Sequence, residues 1–291
     1  MSAPPPDPWL AAVRAVHFAA TILLFGQFAF AAFVAADRQP APHFRRAAAW
    51  SIAALLASAL AWIALEAISM SGLPAREALS PGTLATVIGR TQFGRVWLAR
   101  IVVCLALVAV LAASRRPGAT AAGGLLSALL LAALAAMGHG GSGRGAAGAL
   151  HFGIDAAHLL AAGAWLGALP PLVIALRSAG TAAASEAAQR FSTLGVIGML
   201  VIVASGVANA WYMLSGFPAL VESAYGRWLL AKLALFAVIL GTAAVNRWRL
   251  APRRELRGIA RNAIAECVLG FAIIAIVGEL GIMIPGPHGM R

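Results

Sequence analysis

Runs of about twenty apolar residues alternate with short polar segments eight times along the 291-residue chain, near positions 10–36, 47–71, 96–114, 119–138, 149–176, 191–215, 228–246 and 263–284. Each run is long enough to cross a hydrocarbon core of about 30 Å at a rise of ~1.5 Å per residue. The pattern therefore predicts an all-α integral membrane protein with eight transmembrane helices.

Four markers recur in the same order in the two halves. His17 precedes Gly26 by nine residues on span one, and His158 precedes Gly167 by nine on span five. Ser71-Gly72-Leu73-Pro74 leaves span two, and Ser215-Gly216-Phe217-Pro218 leaves span six. Gly94-Arg95-Val96-Trp97-Leu98-Ala99-Arg100 opens span three, and Gly226-Arg227-Trp228-Leu229-Leu230-Ala231-Lys232 opens span seven. Spans four and eight are followed by His139-Gly140 and His288-Gly289. Four matches in register predict a duplicated four-helix unit, residues 1–145 and 146–291, forming one membrane domain. An even number of spans per unit makes this a parallel repeat, with equivalent residues at equal depth. His17 and His158 would each lie roughly 12 Å along their helices at ~1.5 Å per residue.

Charge orients the bundle. Thirteen arginines fall in the loops after odd-numbered spans, and seven fall in the other loops and the tails. Because basic residues are retained on the cytoplasmic side, both termini are expected outside. The net charge of +12 is then mostly cytoplasmic bias, which points to anionic lipid and away from nucleic acid. Composition agrees: 61% of residues are apolar, 11% are charged, and the mean hydropathy is +0.86. The short Pro-rich tail before span one lacks a basic region, so the first helix is expected to be retained.

The few polar residues inside the spans carry the candidate chemistry. His151, Asp155 and His158 are spaced by four and three residues, which stacks them on one face of span five. A carboxylate between two imidazoles can fix a tautomer and raise the basicity of the free nitrogen, as metal ligation by neutral histidine requires; a structural hydrogen-bonded stripe is the alternative. His139 and His288 sit in Gly-rich outer loops. These five histidines, His17 included, are candidate metal ligands, with Met70, Met137, Met213 and Met290 at the same end as possible soft ligands. Imidazole and thioether together suit copper, Cu(I) through sulfur and Cu(II) through nitrogen. Glu66 and Arg100 are at similar depth and are expected to form a buried ion pair. Placed by the Ser-Gly-x-Pro turns, the second-half counterpart of Glu66 is Ala210 beside Asn209, and Lys232 would pair with Asp155 or Glu279. Glu266, near the inner end of span eight, reads as an exit residue or as a snorkelling surface carboxylate. Cys104 and Cys267 lie in apolar spans without a Cys-x-x-Cys neighbour and read as packing residues. There is no nucleotide-binding Gly-rich loop, no His-Glu-x-x-His and no Ser/His/Asp arrangement on a loop, so the chain reads as a carrier or binder, not an enzyme.

Asp155-Ala-Ala-His158-Leu-Leu-Ala-Ala-Gly-Ala-Trp165-Leu-Gly167, with the openings at Gly94 and Gly226, resembles the CopD family of bacterial copper-resistance and copper-uptake membrane proteins, over essentially the whole chain. The resemblance implies an inner-membrane protein that takes copper from the periplasm, supplied by a separate small carrier of the CopC type, and passes it inward. A reading of another class is a b-type haem or quinone-linked electron carrier. In that case His17 and His158 clamp an iron axially, and Gly26 and Gly167 make room for the macrocycle.

Overall fold

The computed structural model describes residues 7–35, 42–113, 118–137, 145–178, 180–213, 216 and 218–283. Its elements are α1 (Pro8–Ala29), α2 (Pro42–Ser71), α3 (Ala75–Ala78), α4 (Pro81–Arg90), α5 (Gln92–Ala112), α6 (Ala119–Ala132), α7 (Gly145–Leu166), α8 (Leu169–Ser178), α9 (Thr181–Met213), α10 (Pro218–Glu222), α11 (Ala224–Val245) and α12 (Leu256–Leu280). No strand occurs among the described residues. Eight helical segments are long and apolar enough to cross a membrane, as the hydrophobic pattern predicts. The pattern missed α4, a short helix between the second and third spans. It also missed a break in the fifth span.

Local chemistry sets the helix ends. Asp7 caps α1 by accepting from the Trp9 N–H at 2.9 Å, and Pro8 occupies the first turn, where no N–H is needed. Thr91 and Ser223 cap α5 and α11 in the same way. Each accepts from the backbone N–H three residues on, Gly94 at 2.9 Å and Gly226 at 2.8 Å, so the two similar sequences make the same start. Gly72 and Gly216 both take positive φ, 64° and 136°, which explains glycine in each Ser-Gly-x-Pro turn. The break between α7 and α8 falls at Gly167 and Ala168, just before Pro170 and Pro171. Two successive prolines cannot donate to the preceding turn, and the helix restarts with Leu172 N–H bonding Ala168 O at 3.1 Å.

Helix α1 is the axis of the bundle, packed against α2, α6, α7 and α12. It meets α7 backbone to backbone: a Cβ on Gly26 would lie 2.1 Å from the Gly167 carbonyl carbon, and one on Gly167 would lie 2.1 Å from Ile22 O. Only paired glycines permit that approach. Helix α12 closes on α1 similarly, with Gly278 against Ala11 and Ala15. One apolar core runs through the first and second halves, with Trp62, Leu131, Trp165, Leu169 and Ile274 among its buried members.

Candidate functional site

The polar side chains gather at the end of the bundle where α1, α5, α7 and α11 begin, in two clusters built on the same hydrogen bond. In the first half His17, only 1% exposed, places Nδ1 2.9 Å from Ser58 Oγ on α2. In the second half His158 places Nδ1 2.9 Å from Ser205 Oγ on α9. Each serine also contacts backbone carbonyls one turn back, Ala54 and Leu55 for Ser58 and Val201 and Ile202 for Ser205. A hydroxyl has one proton, and giving it to the backbone leaves the serine oxygen to accept from the imidazole. Both rings then carry their proton on Nδ1, with a lone pair on Nε2.

What meets that lone pair differs between the clusters. Arg100 on α5 donates through Nη2 to His17 Nε2 at 2.7 Å and through Nη1 to Leu130 O. An arginine cannot accept, so this contact independently requires His17 to have a bare Nε2. Both nitrogens of His17 are thus engaged. The matching position on α11 is Lys232, which acts electrostatically on His158 and on Asp155 without taking the ring nitrogen among the described hydrogen bonds.

Setting Ser58 against Ser205 matches Trp62 with Asn209 and Glu66 with Met213, each four residues further on, and setting His17 against His158 matches Arg14 with Asp155 and Leu10 with His151. The register from the Ser-Gly-x-Pro turns, which put Glu66 opposite Ala210, is therefore off by one helical turn. The contents of the clusters follow. Around His17, Trp62 is fully buried and stands edge-on to the imidazole at 5.1 Å. The Arg14 guanidinium lies over the Trp62 ring at 5.0 Å, and the indole N–H donates to Glu66 Oε1 at 3.0 Å. Glu66 pairs with Arg14, 4.0 Å away, and not with Arg100 as expected from depth. Depth gives height along a helix but not azimuth, and Arg100 is turned toward His17. Two arginines and one carboxylate leave this cluster cationic and sealed by aromatic rings.

The second cluster keeps one cation, Lys232, and has Asp155 at the position that matches Arg14 and Met213 at the position that matches Glu66. Asp155 accepts from Asn209 Nδ2 at 3.1 Å, in place of the ring N–H expected from a neighbouring imidazole. His151 stacks flat on Tyr212, with centroids 4.5 Å apart and planes 12° apart. Its Nε2 is buried without a hydrogen-bond partner among the described residues, as is Asn209 Oδ1. The Met213 sulfur accepts from the Tyr225 hydroxyl at 2.9 Å.

Other candidates fall elsewhere. Met137 packs against the main apolar core, and Met70 is exposed. Glu279 is half-buried, while Lys232 has its electrostatic partner in Asp155. His139, His288 and Met290 lie outside the described residues. No group of three or more His, Cys, Asp or Glu close enough to hold a metal occurs among the described residues. His17 and His158 do not converge on one cavity: the first faces α2 and α5, the second faces α9. Nor do Gly26 and Gly167 flank a slot for a macrocycle, because they touch each other, and the His17 nitrogen that would ligate iron is occupied by Arg100. Sequence reasoning missed Arg14, Ser58, Trp62, Ser205, Tyr212 and Tyr225. The i, i+4 runs Ser58-Trp62-Glu66 and Ser205-Asn209-Met213 were the available signal.

Residues 5–149 match the family described as copper resistance protein D-like, N-terminal domain, and residues 185–280 match copper resistance protein D. The inner membrane protein YebZ of Escherichia coli (strain K12) is 32% identical over 95% of this chain and 98% of its own. Copper resistance protein D of Pseudomonas syringae pv. tomato is 30% identical over 96% and 97% of the two chains. The copper transport protein CutJ of Bacillus subtilis (strain 168) is 29% identical over 97% of this chain and 53% of its own. No solved structure matches. With relatives at this identity aligned nearly end to end, and two family regions matched along the chain, the chain belongs to the copper resistance protein D family of membrane proteins.

Proposed function

We propose that this protein is a multi-pass inner-membrane copper homeostasis protein that receives copper at the periplasmic end of its second half and passes it inward. The names of its relatives support a copper role. The observation that carries the choice of site is the Nε2 of His151, buried and without a partner among the described residues, in the half that also holds Asp155, His158, whose Nε2 meets no donor among them, and Met213. A buried polar atom without a partner costs about 1–3 kcal/mol, and unlike the likewise unpartnered Arg14 Nε, which can only donate, an imidazole nitrogen can give its lone pair to a metal. Imidazole, thioether and carboxylate are donor types suited to copper, which would have to draw together on loading, and the serine behind His158 fixes the ring in the tautomer that ligation needs. His139 and His288, which follow Met137 and Met283 in sequence, complete this reading as capture ligands that take copper from a separate carrier of the CopC type. The first half, with Arg14 and Arg100 beside His17, repels a cation and serves as the rigid counterpart. The duplicated four-helix origin explains why the two halves share a scaffold and differ in charge.

The test is His151→Phe, which preserves the stack on Tyr212 and removes only the nitrogens. Copper bound by the purified protein and copper accumulated by cells should fall at least tenfold, with thermal stability unchanged or raised. Copper binding equal to wild type in a folded His151→Phe protein would sink the assignment.

A further inference from the structure

At the opposite end of the bundle Glu266 on α12 is buried, 2% exposed, rather than snorkelling to a surface. The neighbouring segment Asn246–Leu250 at the end of α11 is a π-helical turn, a feature that recurs at functional sites. That turn displaces Asn246 so that its Nδ2 donates to Glu266 Oε1 at 3.0 Å, while Asn262 Nδ2 donates to Asn246 Oδ1 at 2.8 Å. Thr242 lies beside the carboxyl, and its hydroxyl donates to Ile239 O at 2.8 Å. Thr242 and Asn246 are thus both uncharged hydrogen-bonding neighbours of the carboxyl.

The elements packed against α12 are α1, α7, α8, α11 and the turn Asn246–Leu250. Their ionisable side chains are Arg14, His17, His151, Asp155, His158, Arg177, Tyr225, Arg227, Lys232, Arg247 and Arg249. Among the described residues no cation is within ion-pair distance of Glu266, and the titratable group beside it is Cys267, next in sequence. Asn246 and Thr242 give the carboxyl hydrogen-bonding neighbours but no positive charge to balance an ionised form. A naked carboxylate here would face the full cost of burying an unpaired charge.

We propose that Glu266 is a proton-exchange site. Burial without a cation partner among the described residues holds it as the neutral acid, and it releases its proton to water at that end of the bundle when a monovalent cation arrives to replace it. The O–H bond breaks, the proton leaves as hydronium, and the carboxylate takes the positive charge of the cation, so the site stays neutral throughout. The protonation stands on the geometry of this cluster alone; its link to copper rests on the function proposed above.

Infrared spectroscopy of the full-length protein in lipid tests the first part. A carbonyl stretch of a protonated carboxylic acid should be present at neutral pH, move on deuteration, vanish in Glu266→Gln and reappear at a shifted frequency in Glu266→Asp. A neutral-pH spectrum in which Glu266→Gln removes no such band overturns the proposal, and the deuteration shift is read on wild type should the variant not fold. Proteoliposomes loaded with a pH-sensitive dye test the second part: copper influx should drive a counterflow of protons in wild type and not in Glu266→Gln. Copper influx without proton counterflow in wild type overturns the exchange step. Absence of copper influx in wild type, with the infrared band intact, instead defeats the transport reading and leaves Glu266 a protonated acid.

Discussion

Arg100 fills the Nε2 position of His17 at 2.7 Å, whereas among the described residues neither the corresponding Lys232 nor any other group donates to the Nε2 of His158. A single exchange of a forked, multiply donating cation for a point charge thus separates a locked imidazole from an available one.

That difference gives unequal outcomes for the two histidines. His158→Ala should lower copper affinity at least tenfold with a modest loss of stability. His17→Ala should mainly destabilise, by about 2–4 kcal/mol, through the cavity beside Trp62 and the stranded Arg100 donors. Copper titration and thermal unfolding of both purified variants check this. Equal loss of copper binding in the two would contradict the asymmetry.

Arg100→Met removes the donor to His17 and to Leu130 O, leaving two buried acceptors without partners. A cost of about 1–3 kcal/mol for each is expected, with copper stoichiometry unchanged. Unfolding in detergent, paired with elemental analysis, measures both effects.

Asp155 balances Lys232 electrostatically inside the second cluster. Asp155→Leu should therefore cost about 3–5 kcal/mol by stranding the ammonium, and adding Lys232→Met should restore much of it. Additive losses in the double variant would show that the two charges are not coupled.

The α1–α7 crossing depends on two missing side chains. Gly26→Ala would drive a methyl into the Gly167 backbone and should cost ~1–3 kcal/mol or more. Gly241→Ala, on α11 with open space around it, should be neutral or stabilising by up to about 1 kcal/mol. Melting temperatures of the two variants should move in opposite directions.

The sequence by itself determined the number and nearly the limits of the membrane-capable helices, because twenty apolar residues have one low-energy form in lipid. It also determined that His17, His151 and His158 share one end, since those positions follow from counting along helices that are already certain. Asp155 with Asn209 and Lys232 was within reach of that counting. Tertiary structure alone decided azimuth: that Arg100 turns to His17 and Glu66 to Arg14, that Gly26 meets Gly167 instead of lining a slot, and that Glu266 is buried. Height along a helix is encoded by residue number, whereas the direction a side chain faces is fixed by which neighbour packs there. In a chain so uniformly apolar the hydrophobic pattern does not mark which face of a helix is inward, so the partners of each polar group emerge only once the bundle is assembled.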